Sequence, residues 1–170
     1  MKSLILSALL CMPILADVYL NLGVGIERAD ERVVWGEDYL ATGDYKNDNT
    51  VAPSLALIGR VGYNINNNIA LYTEFDISRT RVKETTTEYI SGMIGGKYTF
   101  DNNVNVFISY GRENITVVDT RWRRIGKAGI GYQFLDNFSL EGYVVRTGEI
   151  DYTPSDISKT TLGVALIFSL

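Results

Sequence analysis

Residues 18–26 read VYLNLGVGI, and every second residue in this stretch is a branched or long apolar one. Side chains along a β-strand point to opposite faces in turn, so the apolar residues share one face and the tyrosine, asparagine and glycines share the other. The stretch therefore predicts a strand with one apolar face.

The same alternation recurs seven more times along the chain. The further segments lie at about 54–64, 69–78, 89–99, 104–113, 125–134, 138–147 and 161–170. Eight segments of about ten residues have the length at which a tilted strand crosses a bilayer. The pattern predicts an all-β protein, an eight-stranded antiparallel up-and-down barrel.

The two faces of these segments differ in charge. The opposite face carries eight charged residues, namely Glu27, Arg60, Glu74, Asp76, Lys97, Glu113, Lys127 and Glu141. None is charged among the residues assigned to the apolar face, which are Val18, Leu55, Leu57, Val61, Leu71, Phe75, Ile94, Val106, Ile108, Ile130, Leu140, Val144, Leu162, Val164, Leu166 and Phe168. Such a contrast indicates one face in an apolar medium and another that holds polar groups.

One turn motif is used three times between the strands. Residues 63–69, 98–104 and 132–138 read YNINNNI, YTFDNNV and YQFLDNF. Asn and Asp tolerate the positive φ that tight hairpins require, so each motif predicts a short turn. The other connections, at about 27–53, 79–88, 112–124 and 148–160, are longer and polar, as in a meander whose two ends face different surroundings.

Composition excludes several classes of protein. The chain has 170 residues, 46% of them apolar, with no histidine and one cysteine. It is too apolar for a disordered chain, too short for several domains and too poor in cysteine for a disulfide scaffold. Beyond the first 16 residues, no apolar run approaches the roughly 20 residues of a membrane-spanning helix.

The first 16 residues predict a secretory signal peptide. A basic start at Lys2 is followed by an apolar stretch and by Ala16, after which the chain turns polar at Asp17. This order is typical of a signal cleaved after the small residue. Residues 17–170 are then the mature domain.

Three features favour an apolar face that points outward, into lipid. Aromatic residues flank the tight turns, as at a membrane interface. The polar face is rich in glycine and carries charges of both signs, which suits a narrow lumen. The last strand alternates to the final residue through Leu162, Val164, Leu166, Phe168 and Leu170.

These features together resemble the small eight-stranded outer-membrane barrels of Gram-negative bacteria, such as outer-membrane protein X, the opacity-type surface proteins and the membrane domain of outer-membrane protein A. The resemblance implies a transmembrane barrel in the cell outer membrane, with the tight turns on the periplasmic side. It also implies that the barrel-assembly machinery reads the C-terminal strand, although here Leu170 and not Phe168 ends the chain.

Two groups of charged residues are candidate sites. We expect a salt-bridge network that holds the lumen closed, formed by Arg60, Glu74, Asp76, Lys97, Lys127 and Glu141. A basic cluster in the third long loop is a candidate contact for lipopolysaccharide phosphates, formed by Arg121, Trp122, Arg123 and Arg124. The acidic and aromatic loop at residues 27–53 could bind a surface partner.

The absence of histidine argues against an enzyme, because general-base activation of serine or water would need an unusual base. We expect no cofactor, no metal and no nucleic-acid partner, and a monomer with a structural role in the envelope. Two alternatives stay open at this point. One is a soluble periplasmic barrel that binds a lipid or another apolar ligand, and the other is a small-conductance pore.

Overall fold

The computed structural model describes residues 18–35, 48–82, 85–115, 119–148 and 155–170. These residues form a closed barrel in which each strand pairs antiparallel with its sequence neighbours and the last pairs with the first. The strands are β1 (Val18–Trp35), β2 (Asp48–Asn64), β3 (Ile69–Val82), β4 (Thr85–Thr99), β5 (Val104–Ile115), β6 (Asp119–Leu135), β7 (Phe138–Thr147) and β8 (Ser155–Ser169). The predicted signal peptide lies outside the described residues. In these ranges no helix is long and apolar enough to cross a membrane.

The barrel has a turn end, where the three short turns lie, and a loop end, where the longer connections lie. At the loop end most strands extend further than the alternation predicts. Residues 28–33 pair with 48–53, so much of the segment predicted as the first loop is strand, and residues 36–47 of it are not described. Likewise β3 and β4 stay paired as far as Val82 and Thr85. Backbone pairing needs no apolar face, so the ladders continue where the alternation of side chains has ended.

The register of the strands gives the barrel its shear. A row of directly paired residues starts at Asn21 on β1 and returns to β1 at Glu31, through Arg60, Glu74, Met93, Gly111, Ile125, Thr147 and Lys159. The displacement is 31 − 21 = 10 residues. A shear of this size tilts the strands by about 45° and leaves an interior that side chains fill.

The apolar faces point outward. Val24, Leu57, Ile94, Ile108 and Leu162 are all exposed, and none of them lies in the interior. The interior instead holds glycines, charged residues and a packed apolar layer that consists of Ile58, Tyr72, Met93, Phe107, Ile125, Tyr143, Val145, Ala165 and Ile167. A soluble barrel with an apolar ligand would need the reverse arrangement, so that alternative is wrong.

The tight turns use asparagine in two ways. In the first, Asn66 Oδ1 accepts hydrogen bonds from the backbone N–H groups of Asn68 at 2.9 Å and Ile69 at 2.8 Å. In the second, Asn103 has a φ of 64°. This left-handed conformation is tolerated by asparagine better than by most residues, as the turn motif predicted.

Candidate functional site

A network of five charged side chains lies in the middle of the lumen. Lys127 Nζ donates to Glu74 Oε1 at 2.8 Å and to Asp76 Oδ2 at 2.9 Å. Arg60 bonds Glu74 from its Nε and donates from Nη1 to Glu141 Oε1 at 2.7 Å. The structure therefore brings together five of the six residues that the sequence pointed to.

Two pairs of neighbouring strands on opposite sides of the lumen, β2 with β3 and β6 with β7, position these five side chains. Arg60 on β2 stands directly opposite Glu74 on β3, and both point inward because they share the parity of the interior residues. Aromatic rings cover the cations, since the guanidinium carbon of Arg60 lies 4.9 Å from the centre of the Phe107 ring and Lys127 Nζ lies 4.3 Å from that of Tyr143. Buried charges need such partners, because their hydration has been removed.

Lys97, the sixth predicted residue, does not join the network. It lies closer to the turn end, where its register partners are Ala70 and Phe107. Its ammonium nitrogen stands 4.8 Å from the centre of the Tyr19 ring. Within the described part of the chain it forms no ion pair.

A second cluster lies at the loop end of the lumen. Glu113 accepts a hydrogen bond from Lys159 Nζ at 3.2 Å and another from Thr147 Oγ1 at 3.0 Å. Lys159 Nζ also lies 3.5 Å from the centre of the Tyr89 ring. Between the two clusters is a cavity of about 20 Å³, bordered by Asp76 among others. This volume holds about one water molecule, so the lumen between the two clusters is closely filled.

Sequence reasoning missed two lumen residues, Lys159 and Arg123, because both fell in segments predicted as loops. Both are buried. Lys159 lies on β8 and Arg123 on β6, and each stands an even number of residues before the inward-facing residues of its strand. Extending the alternation by one pair would have found them. The described interior then holds five acids and five bases, namely Glu27, Glu74, Asp76, Glu113, Glu141, Arg60, Lys97, Arg123, Lys127 and Lys159.

Five arginines form a ring on the outside of the barrel near the loop end. They are the first outward charged residues beyond the apolar band on five different strands, and all are exposed: Arg28, Arg79, Arg112, Arg124 and Arg146. Because of the shear, a row of paired residues moves toward the loop end by about 1.25 residues with each strand. The heights of the five arginines along the barrel axis therefore differ by no more than about two residues. We call this set the arginine ring.

The opposite border of the apolar band is aromatic. Tyr63, Tyr98, Tyr132, Phe134 and Phe138 lie beside the tight turns, and the Tyr98 and Phe100 rings meet edge to face with centres 4.9 Å apart. Counting residues along the tilted strands, the aromatic border and the arginine ring are about 20–25 Å apart. This separation matches the apolar band of an outer-membrane barrel.

The structure splits the basic cluster predicted at residues 121–124. These residues lie on β6, so successive side chains point to opposite faces. Trp122 and Arg124 are exposed on the outside, whereas Arg123 is only 6% exposed and points into the lumen. The side chain of Arg121 is not described. The prediction that all four contact lipopolysaccharide is therefore wrong for Arg123.

The C-terminal strand closes the barrel against β1. Leu162, Val164, Leu166 and Leu170 are exposed on the outer face, and the ring of Phe168 packs on Phe138 with centres 5.0 Å apart. Leu170 N donates to Leu20 O at 2.9 Å. The predicted role of this strand in assembly stays a prediction.

The chain matches one protein family and several solved structures. The family described as "Outer membrane protein beta-barrel domain" matches residues 3–168. Ail, the attachment invasion locus protein of Yersinia pestis, solved in complex with the heparin analogue sucrose octasulfate, is 14% identical over 89% of this chain and 99% of that one, with a TM-score of 0.53.

The outer-membrane protein OprG from Pseudomonas aeruginosa is 6% identical over 90% of this chain and 95% of that one, with a TM-score of 0.50. No curated protein matches the chain. At these identities the structural similarity shows the shared fold alone.

Proposed function

Because the chain belongs to the outer-membrane protein β-barrel domain family and is an outer-membrane protein, we propose that it is a non-catalytic, monomeric component of the cell envelope. In this proposal the barrel is a closed anchor, the loop end faces outward and the exposed groups there contact other surface molecules. The resemblance to small outer-membrane barrels supports this orientation.

The filled lumen carries the proposal. Lys127 is fully buried and joins two carboxylates, and Glu74 is fully buried between two cations. These strong charge-assisted bonds cross the lumen and leave little room for water or ions. An eight-stranded barrel has no space for a wide channel beside them. A structural role therefore fits this interior better than transport does.

Conductance tests the closed lumen against the alternative of a small pore. We expect purified protein in a planar bilayer to give no steady current. Replacing Arg60 and Glu141 together with alanine removes a bond across the lumen and should produce brief openings. Arg79→Gln, which disrupts an exposed pair with Glu88, is the matched control and should stay silent. Steady, ion-selective current from the unmodified protein would overturn the proposal.

Surface contact is the second half of the proposal. The part of the arginine ring on β5, β6 and β7, which consists of Arg112, Arg124 and Arg146, is the proposed contact, at the border of the apolar band where lipopolysaccharide phosphates lie if the loop end faces outward. Guanidinium groups suit phosphates because their donors match the oxygens two at a time. Trp122 and Arg124 keep the role that the sequence suggested, and the segment at residues 27–53 is proposed as a contact for a protein partner.

Assembly by the barrel-assembly machinery completes the proposal. The exposed alternating residues of β8 support it, since they form a continuous apolar face along this strand. We expect Phe168→Ala to lower the yield of folded protein in outer membranes while unfolded protein accumulates in the periplasm. Leu140→Ala, at an exposed outward position of the neighbouring strand β7, is the control. An unchanged yield for Phe168→Ala would contradict recognition through this residue.

A further inference from the structure

The arginine ring is uneven, because its members on β5 and β6 stand directly opposite each other. Arg112 and Arg124 are register partners on the outer face. Side chains at such positions start about 5 Å apart, and like charges placed there repel each other. Arg79, in contrast, faces Glu88 and pairs with it at 3.3 Å.

Among the residues that the structure describes, no carboxylate pairs with the two facing arginines. In the described ranges neither Arg112 nor Arg124 forms an ion pair, and Arg146 on β7 adds a third unpaired cation at a diagonal position. Exposed arginines on a loop would simply be hydrated. Three arginines on adjacent strands, at the border of a lipid-facing surface, instead form a site of positive charge. A bound anion would reduce the repulsion among them.

An apolar hollow lies directly below the two arginines, on the side of the bilayer centre. Its volume is about 590 Å³, and Arg112 and Arg124 form its rim. The hollow exists because Gly92, the register partner of Arg112 on β4, has no side chain. Phe75, Ile94 and Tyr110 form its walls, and these side chains are 63%, 71% and 60% exposed.

We propose that this pair of arginines and the hollow form a binding site for the lipid A part of lipopolysaccharide. A phosphate lies between the two guanidinium groups, and an acyl chain lies over Gly92 against the aromatic walls. The apolar walls of the hollow favour a lipid over a free phosphate ion, because an ion would make no apolar contact with those walls. The inference rests on the proposed function in one respect, the outward orientation of the loop end.

Binding of lipid A to the protein in phosphatidylcholine nanodiscs tests the site. Arg112→Gln combined with Arg124→Gln should weaken binding about tenfold, because charge-assisted bonds to phosphate are lost. Arg28→Gln combined with Arg79→Gln removes the same charge from another part of the ring. This control should change the affinity by less than about twofold.

A second pair of variants tests the hollow. Gly92→Leu fills it, and a Cβ at this position meets only the Phe75 ring, at 3.8 Å, so the barrel can accommodate the change. It should weaken lipid A binding about tenfold, since about two methylene groups of an acyl chain lose their contact. Gly142→Leu lies on β7 where an added Cβ meets nothing within 4 Å, and it should leave binding unchanged.

Three outcomes would overturn the inference. Equal binding by all four variants would remove both parts of the site. A site for ions alone would be indicated if inorganic pyrophosphate competed as strongly as lipid A and if Gly92→Leu left lipid A binding unchanged. Loss of cross-linked dimers in Gly92→Leu would indicate that the hollow packs against a second copy.

The unboiled mobility of every variant on a denaturing gel verifies that it has folded. Steady conductance by the same preparation would refute the closed lumen and would leave the lipid A result intact. The two proposals can therefore fail separately.

Discussion

Lys127 shows how one residue holds the interior together. Its ammonium group is fully buried between Glu74 and Asp76, which belong to the same strand. Removing a single partner from a buried ion pair is costly, because the remaining charge keeps its desolvation penalty and loses its compensation. The residue is thus a connection between β6 and β3 across the lumen.

We expect Lys127→Met to lower the free energy of unfolding by about 3 kcal/mol or more, measured by urea titration in lipid vesicles. Arg79→Gln is the control on the outside, where the exposed pair with Glu88 contributes less than about 1 kcal/mol. Equal effects of the two substitutions would show that the lumen is hydrated and open.

Glycines on the two faces should respond in opposite ways to a larger side chain. A Cβ at Gly111, which points inward, would collide with the backbone of Gly92 and Met93, whereas one at Gly142 meets nothing within 4 Å. Gly111→Val should cost about 3 kcal/mol or more, and Gly142→Val should be neutral or stabilising because valine favours strands. Refolding yield and urea midpoint measure both.

At the scale of one element, β6 combines three environments along 17 residues. Its turn end carries Tyr132 and Phe134, its middle carries Ile130 in the apolar band, and its loop end carries Arg124 and Trp122 on the same face. The strand therefore leaves the apolar band near Arg124.

Arginine substitutions along β6 test where the apolar band ends. Ile130→Arg should destabilise the barrel by about 2–4 kcal/mol, the cost of a cation near the middle of the bilayer. Trp122→Arg, on the same face beyond the arginine ring, should cost at most about 1 kcal/mol. A large cost at both positions, measured by unfolding in vesicles, would place the border of the band further from the turn end.

β6 also shows what the sequence can predict. The alternation from Ile125 onward predicted the membrane-spanning strand and the facing of Lys127, because lipid and lumen impose opposite polarity on alternate residues. Residues 119–124 lie beyond the lipid, where that contrast is lost, so the sequence pattern predicts a loop there. The shear determines that Arg112 pairs with Arg124 and that the arginine ring lies at one height along the barrel axis. Because the shear is a relation between strands, it cannot be predicted from the sequence of any single segment.

At the scale of the whole molecule, the aromatic border and the arginine ring set the thickness of bilayer that the barrel fits. The distance of about 20–25 Å is shorter than the roughly 30 Å hydrocarbon core of an average membrane, and outer membranes are thinner than average. The barrel is therefore suited to a thin bilayer.

We expect folding to be fastest, and thermal stability highest, in phosphatidylcholine vesicles with chains of about 10–12 carbons. Longer chains should lower both, because mismatch costs a fraction of a kcal/mol per Å. Folding kinetics followed by gel mobility across a series of chain lengths would measure this. An optimum at the longest chains would contradict the assignment of the two borders.

The lumen contacts also join distant parts of the chain. Arg60 pairs with Glu141, 81 residues away, and Tyr143 donates a hydrogen bond to Glu27, 116 residues away. Neither bond can form before β7 and β8 reach β1 and β2. An open sheet therefore lacks both of these bonds, and closing the barrel forms them together. The stability of the interior therefore depends on the meeting of the first and last strands.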